Sequence, residues 1–155
     1  MKYVIGIDPD SAGVPCAIYE DGNLIAVITL DLIQFHEMLI NTIQQGHEVE
    51  IHIENVKGNR CSSFNWKSTD NKKVRAKKSE GVGMCKQAQT EVERISKLAG
   101  VKVIHHKVSK QWKCAKTGKP QFEKVTGWKG RSNEDTRSAA YMGWLGLNAG
   151  KYVLS

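Results

Sequence analysis

Proline, long apolar runs and paired cysteines are all scarce in this sequence. Three prolines in 155 residues, with 40% apolar and 25% charged residues and a mean hydropathy of −0.43, exclude a disordered chain and a membrane-embedded one. No apolar run approaches the roughly 20 residues that a bilayer-crossing helix needs. The four cysteines, Cys16, Cys61, Cys85 and Cys114, form no C-x-x-C pair. Free thiols are expected over disulfides, and the spacing does not suggest a zinc site. The opening Met1-Lys2-Tyr3-Val4-Ile5-Gly6-Ile7 meets Asp8 and Pro9 before a signal-peptide core could develop, so the chain is expected to stay in the cytoplasm. Its length suits one domain burying roughly two thirds of its unfolded surface, and is too short for two of full size.

Acids are outnumbered too. Twenty-three Lys and Arg against 16 Asp and Glu leave a formal charge of +7 and a pI near 9.3, a balance that favours a polyanionic partner. The charge is also clustered. Lys57, Arg60, Lys67, Lys72, Lys73, Arg75, Lys77 and Lys78 share a segment with the single acid Asp70, and Phe64 and Trp66 lie among them. A second basic stretch, Lys102 to Arg131, carries Lys107, Lys110 and Lys113 and the single acid Glu123. A polarised, phosphate-binding surface is expected.

Alternation over residues 2–8 predicts a strand ending in Asp8. Strands near 14–19 and 24–29 follow, separated by the hairpin signal Asp21-Gly22-Asn23. Asp31 and Gln34 form a capping box for a helix whose stripe is Leu32, Phe35, Leu39 and Ile43, and Gly46 ends it. Val49 to Glu54 alternates strictly, placing Glu50, His52 and Glu54 on one side of a fourth strand, parallel to the first. Residues 57–80 lack periodicity and read as a mobile basic loop. A helix is predicted over 83–99, a fifth strand over Val101–His105, a polar stretch to Arg131 broken by Gly118, Gly127 and Gly130, and a last helix over 133–147. The fold class is therefore α/β, a five-stranded mixed sheet flanked by helices.

Three acids sit where such a fold could bring them together: Asp8 ending the first strand, Glu54 ending the fourth, and Asp135 opening the last helix above an apolar stripe of Ala139, Met142 and Gly146. Grouped carboxylates repel unless cations neutralise them, and hard oxygen ligands select Mg²⁺ or Mn²⁺. Each acid also has a structural alternative. Asp8-Pro9-Asp10-Ser11 could be turn chemistry, Glu54 a surface acid, and Ser132-x-x-Asp135 a capping box.

Ile5-Gly6-Ile7-Asp8-Pro9-Asp10-Ser11-Ala12-Gly13, then Ile51-His52-Ile53-Glu54-Asn55, then Asn133-Glu134-Asp135-Thr136-Arg137-Ser138-Ala139-Ala140 resemble the ordered motifs of RuvC-type Holliday junction resolvases, above all their compact phage relatives. The resemblance spans about residues 1–56 and 80–147. It implies an RNase H-like fold, a homodimer, and Mg²⁺-dependent paired nicking of four-way DNA junctions with two ions per active site. Asp8, Glu54 and Asp135 would be the ligands. The family places a second acid or a histidine three residues before the last of these. Here that position is Ser132, which leaves Glu134 as the candidate substitute. Lys107, Lys110 and Lys113 would offset charge near the scissile phosphate, with Lys110 and Lys113 close to the chemistry. Lys57, Arg60, Phe64, Trp66, Lys72, Lys73, Arg75 and Lys77 would contact DNA, the aromatics stacking on unpaired bases or packing in the core. A non-catalytic branched-DNA binder and a nuclease of RNA–DNA hybrids or flaps are the alternatives.

Overall fold

The computed structural model describes residues 1–10, 13–58, 69 and 71–154. Strands β1 (Lys2–Ile7), β2 (Val14–Glu20) and β3 (Asn23–Leu30) form an antiparallel meander. The turn between β2 and β3 puts Asp21 and Gly22 at positive φ, as its Asp-Gly pair demands. Helix α1 (Leu32–Gln44) opens with the expected box. The Asp31 carboxylate accepts from the Gln34 amide nitrogen, and the Gln34 side chain accepts from the Asp31 N–H. The helix buries Phe35 and Leu39, while Leu32 at the head of the expected stripe is exposed. Strand β4 (Glu48–Glu54) then lies parallel to β1, and β5 (Lys102–His106) parallel to β4. The sheet order is β3-β2-β1-β4-β5, the five-stranded mixed sheet anticipated above.

Two stretches expected to be loop hold helices. Helix α2 runs over Lys72–Leu98, starting eleven residues before the predicted 83, because the Asn71 side chain caps it by accepting from the Val74 N–H. Its first turns are strong helix formers without an apolar stripe, and a periodicity search is blind to those. Within the basic stretch after β5, α3 (Gly118–Thr126) buries Phe122 and ends at Gly127 in the left-handed conformation. The final helix, α4, runs over Glu134–Leu154, beyond the expected 147.

The pleat sorts side chains between two layers. Ile5, Ile7, Ile51 and Ile53 face α1 and α2 in one core with Phe35, Leu39 and Val92. Val4, Ala17 and Tyr19 face α4 in a second core with Trp112, Phe122, Ala139 and Ala140. Alternation therefore puts Gly6, Asp8, Glu50, His52 and Glu54 on the α4 side. Helix α4 comes close to the sheet because small residues let it. A Cβ on Gly6 would run into the Ala139 carbonyl oxygen and stand 2.5 Å from the Gly143 nitrogen, and a Cβ on Gly146 would run into the His52 ring. Tyr19 donates its hydroxyl to the Ala140 carbonyl at 2.7 Å, which pins the helix to β2.

Candidate active site

Register and parity place the first two acids. Ile7 of β1 pairs with Ile53 of β4, and one residue further along each strand come Asp8 and Glu54, both buried on the α4 side. The third comes from the start of α4. Here the capping box is Asn133/Thr136 instead of Ser132/Asp135: the Asn133 carboxamide oxygen accepts from the Thr136 N–H at 2.8 Å, and Thr136 Oγ1 accepts from the Asn133 N–H at 2.9 Å. This corrects the capping alternative and leaves Asp135 half-buried and within the influence of the Asp8 charge.

The three carboxyls share one electrostatic environment. Burial, a hydrogen bond with Glu54 and the Glu54 charge push the Asp8 carboxyl up to about 8, against smaller downward effects of Lys113 and the Ser138 hydroxyl. Burial and the charges of Asp8, Asp10 and Glu134 raise Asp135 above the usual carboxylate range. Lys113 is the cation among them. Burial alone would depress its ammonium, and Asp8, Glu54 and Asp135 together outweigh that and raise it. Its Nζ stands 3.5 Å from Asp8 Oδ2. Glu54 Oε1 accepts from the Ser109 N–H at 3.1 Å.

Asp8 Oδ2 and Ser138 Oγ are both buried without a hydrogen bond of ordinary geometry, and Asp8 Oδ2 faces the Lys113 ammonium at 3.5 Å. Carboxyls whose pKa values are raised by burial and by mutual repulsion offer the hard oxygens that suit a divalent ion of the Mg²⁺ class. The side chains are not drawn together into a finished ligand shell: among the described residues, no group of three His, Cys, Asp or Glu side chains stands close enough to hold a metal as it is. Glu134 is exposed, so the proposed replacement for the missing acid stays outside the pocket. The hydroxyl of Ser132, at the position of that acid, instead accepts from Arg137 Nη1 at 3.1 Å.

The remaining sequence candidates separate into groups. Lys107 and Lys110 are exposed and line, with Asn55, His105, His106 and Ser109, a groove of about 530 Å³ running on from Glu54. Lys57 is tied down: its Nζ meets Glu93 Oε1 at 2.5 Å, and Glu93 Oε2 meets His105 Nε2 at 2.7 Å. Its backbone N–H bonds the buried Gln89, which also reaches Asn55. Lys57 thus helps hold the segment after Glu54 in place, a structural role that the sequence reading missed. Lys72, Lys73, Arg75 and Lys77 lie in the opening turns of α2, not on a loop. Arg60, Phe64 and Trp66, with Cys61, lie outside the described residues.

Sequence reasoning also missed residues that only the fold brings together. His52 is buried with its Nε2 2.6 Å from Glu50 Oε1 and its Nδ1 2.7 Å from His106 Nε2, so the middle of the Glu50-His52-Glu54 face is occupied by a linked polar trio beneath α4. Arg137 is buried at 3% exposure and directs its donors to the Trp112 carbonyl (2.9 Å), the Lys113 carbonyl (2.6 Å) and Ser132. Trp112 itself has φ of 66°, a conformation costing a side-chain-bearing residue of order 1–2 kcal/mol.

No family model matches the sequence, and no curated protein does. Solved structures do match in fold. The structure of Thermus thermophilus RuvC in complex with Holliday junction substrate aligns over 97% of this chain and 96% of its own, with a TM-score of 0.56 at 14% identity. A second Thermus thermophilus RuvC structure aligns over the same shares with a TM-score of 0.57 at 16% identity. The fold is thus the RNase H-like one that RuvC has.

Proposed function

We propose that this protein is a divalent-metal-dependent, structure-specific DNA endonuclease that resolves four-way junctions by paired nicks, acting as a homodimer. The observation that supports the reading is that the charges of Asp8, Glu54 and Asp135 all act on Lys113, in a fold shared with a protein solved on a Holliday junction. Asp8, Glu54 and Asp135 would hold Mg²⁺ or Mn²⁺, with a second ion resting on fewer protein ligands because Glu134 is exposed. Bound there, the ions would supply an activated water and neutralise the departing oxygen.

The chain's own groups do the rest. Ser109 holds Glu54 by its backbone N–H and fixes the direction of that carboxylate. Lys113 places a positive charge beside Asp8, where charge grows as a phosphodiester is attacked. Lys107 and Lys110 line the adjoining groove, where a phosphate backbone would pass. Among the described residues no helix is long and apolar enough to cross a membrane, and the reading assigns the work to branched DNA in the cytoplasm, of phage or host.

Cleavage of a synthetic four-way junction in Mg²⁺ tests the reading. Symmetric nicks in the junction, absent from duplex, RNA–DNA hybrid and flap substrates at equal salt, are the expected result; preferential cutting of hybrids or flaps would move the protein to another RNase H-like activity. A second reading, a binder without catalysis, is favoured by one observation, the lack of a finished metal ligand shell among the described residues. Tight junction binding with no cleavage in either Mg²⁺ or Mn²⁺ would establish it.

The start of α2 offers a separate measurement. Changing Lys72, Lys73 and Arg75 together to Ala should weaken junction binding and make the dependence of log K on log salt shallower, by up to about 0.9 for each phosphate that is no longer neutralised. An unaltered slope in a salt titration would remove this helix from the interface.

A further inference from the structure

Lys113 lies on an irregular turn, and a lysine there would ordinarily swing through solvent. What holds this turn is unusual. The guanidinium of Arg137, two residues beyond Asp135 on α4, binds the carbonyls of both Trp112 and Lys113. Its third bond goes to Ser132, just before the helix. All three acceptors are neutral, so a fully buried cation is held by two peptide carbonyls and a hydroxyl, using the planar fork of donors that only arginine has. From the other side, Gly118 presses on the same turn so closely that a Cβ would stand 2.5 Å from the Trp112 carbonyl carbon. The Trp112 ring, packed against Phe122, Tyr141 and Trp144, anchors the turn in the core.

We infer that Arg137 is a positioning residue for Lys113: it straps the 109–117 turn to the helix that carries Asp135, so that the ammonium and the carboxylate are held as one rigid unit. The inference rests on the nuclease reading for its kinetic consequence and on hydrogen bonds and packing alone for its structural one. Asp135 and Lys113 are 22 residues apart in sequence, and their side chains approach the site from different elements. Without the strap, each would sample its own range of positions, and misplacement by about 1 Å is enough to slow chemistry about 10²-fold.

The test combines kinetics with proteolysis. In Arg137→Gln the junction dissociation constant should stay within about twofold while single-turnover cleavage falls about 10–100-fold. Lys113→Ala should show the same pattern, and the double variant should be no slower than Lys113→Ala alone, since the two residues act through one group. Independently of activity, the bonds after Lys110, Lys113 and Lys116 should become trypsin-sensitive in Arg137→Gln at temperatures well below its melting point. Gly118→Ala displaces the same turn while leaving Arg137 in place and should reproduce both effects; it serves as the test if Arg137→Gln does not fold. Arg137→Lys, which cannot span two carbonyls, should rescue little. Additive rate losses in the double variant, or unchanged trypsin cleavage in that segment, would overturn the inference. If the wild type cleaves no junction, the nuclease reading fails and the trypsin result alone decides whether the strap exists.

Discussion

Asp8→Asn should abolish junction cleavage, by about 10³-fold or more, and at the same time make the protein more stable. The first effect follows from removing the carboxylate at the centre of the group: Asp8 is the buried acid that interacts with Glu54, Asp135 and Lys113 alike. Losing several kcal/mol of transition-state stabilisation from a misassembled metal site corresponds to that factor. Junction binding should survive, because the basic groove and the start of α2 are untouched.

The second effect follows from linkage. Asp8 titrates near 3.8 when unfolded and near 8 in the fold. The folded state therefore holds the proton more tightly between those values, and stability falls as pH rises through that window. Asparagine stays neutral. At pH 8 in EDTA the variant should melt higher than wild type, and the difference should shrink as the pH is lowered and vanish near pH 4. Adding 10 mM Mg²⁺ should raise the melting temperature of wild type and leave the variant where it was. A wild type whose melting temperature ignores both pH over 4–8 and Mg²⁺ would sink the assignment of Asp8.

Gly6→Ala is expected to be the most damaging single methyl in the protein. The new Cβ would overlap the Ala139 carbonyl oxygen and stand 2.5 Å from the Gly143 nitrogen. Both are backbone atoms, with no rotamer to give way. Helix α4 must then lift from the sheet, at a cost of about 3 kcal/mol, and carry Asp135 away from Asp8. Gly81→Ala gives the contrast. Gly81 lies in α2 with nothing within 4 Å of a new Cβ, so the same methyl should stabilise by about 0.5–1 kcal/mol. Chemical denaturation of the two variants beside wild type checks both signs; equal effects would show that α4 does not sit against β1 as described.

Local pattern carried the sequence reading where one residue's surroundings are set by its neighbours in the chain. Alternation in β1 and β4 was enough to put Asp8 and Glu54 on one side, because the period of a strand is two and both acids follow apolar partners on the opposite face. The Asp31–Gln34 box and the Asp21-Gly22 turn were legible for the same reason, each being complete within four residues. Even the stripe Ala139-Met142-Gly146 announced which side of α4 meets the sheet.

What the sequence did not disclose depends on partners far along the chain or on the absence of a pattern. The first turns of α2 have Val74 and Ala76 among polar residues and no apolar stripe, so they carry no periodic signal, and Asn71 marks where the helix starts. Whether Asp135 or Glu134 turns inward hangs on a single residue of helix phase, decided by Asn133 and Thr136 taking the capping role. Lys57 reads as one more basic residue until α2 brings Glu93 beside it. The strap from Arg137 to the turn at Trp112 and Lys113 joins residues 24 and 25 apart, and hydrogen bonds to backbone carbonyls leave no trace in the identity of the residues that accept them. Sequence by itself determined the strands, their faces and the acids at their ends, because those follow from short-range sterics and burial. Tertiary structure alone decided which cation stands among the acids and what holds it there, because a charge is positioned by whatever the fold brings against it.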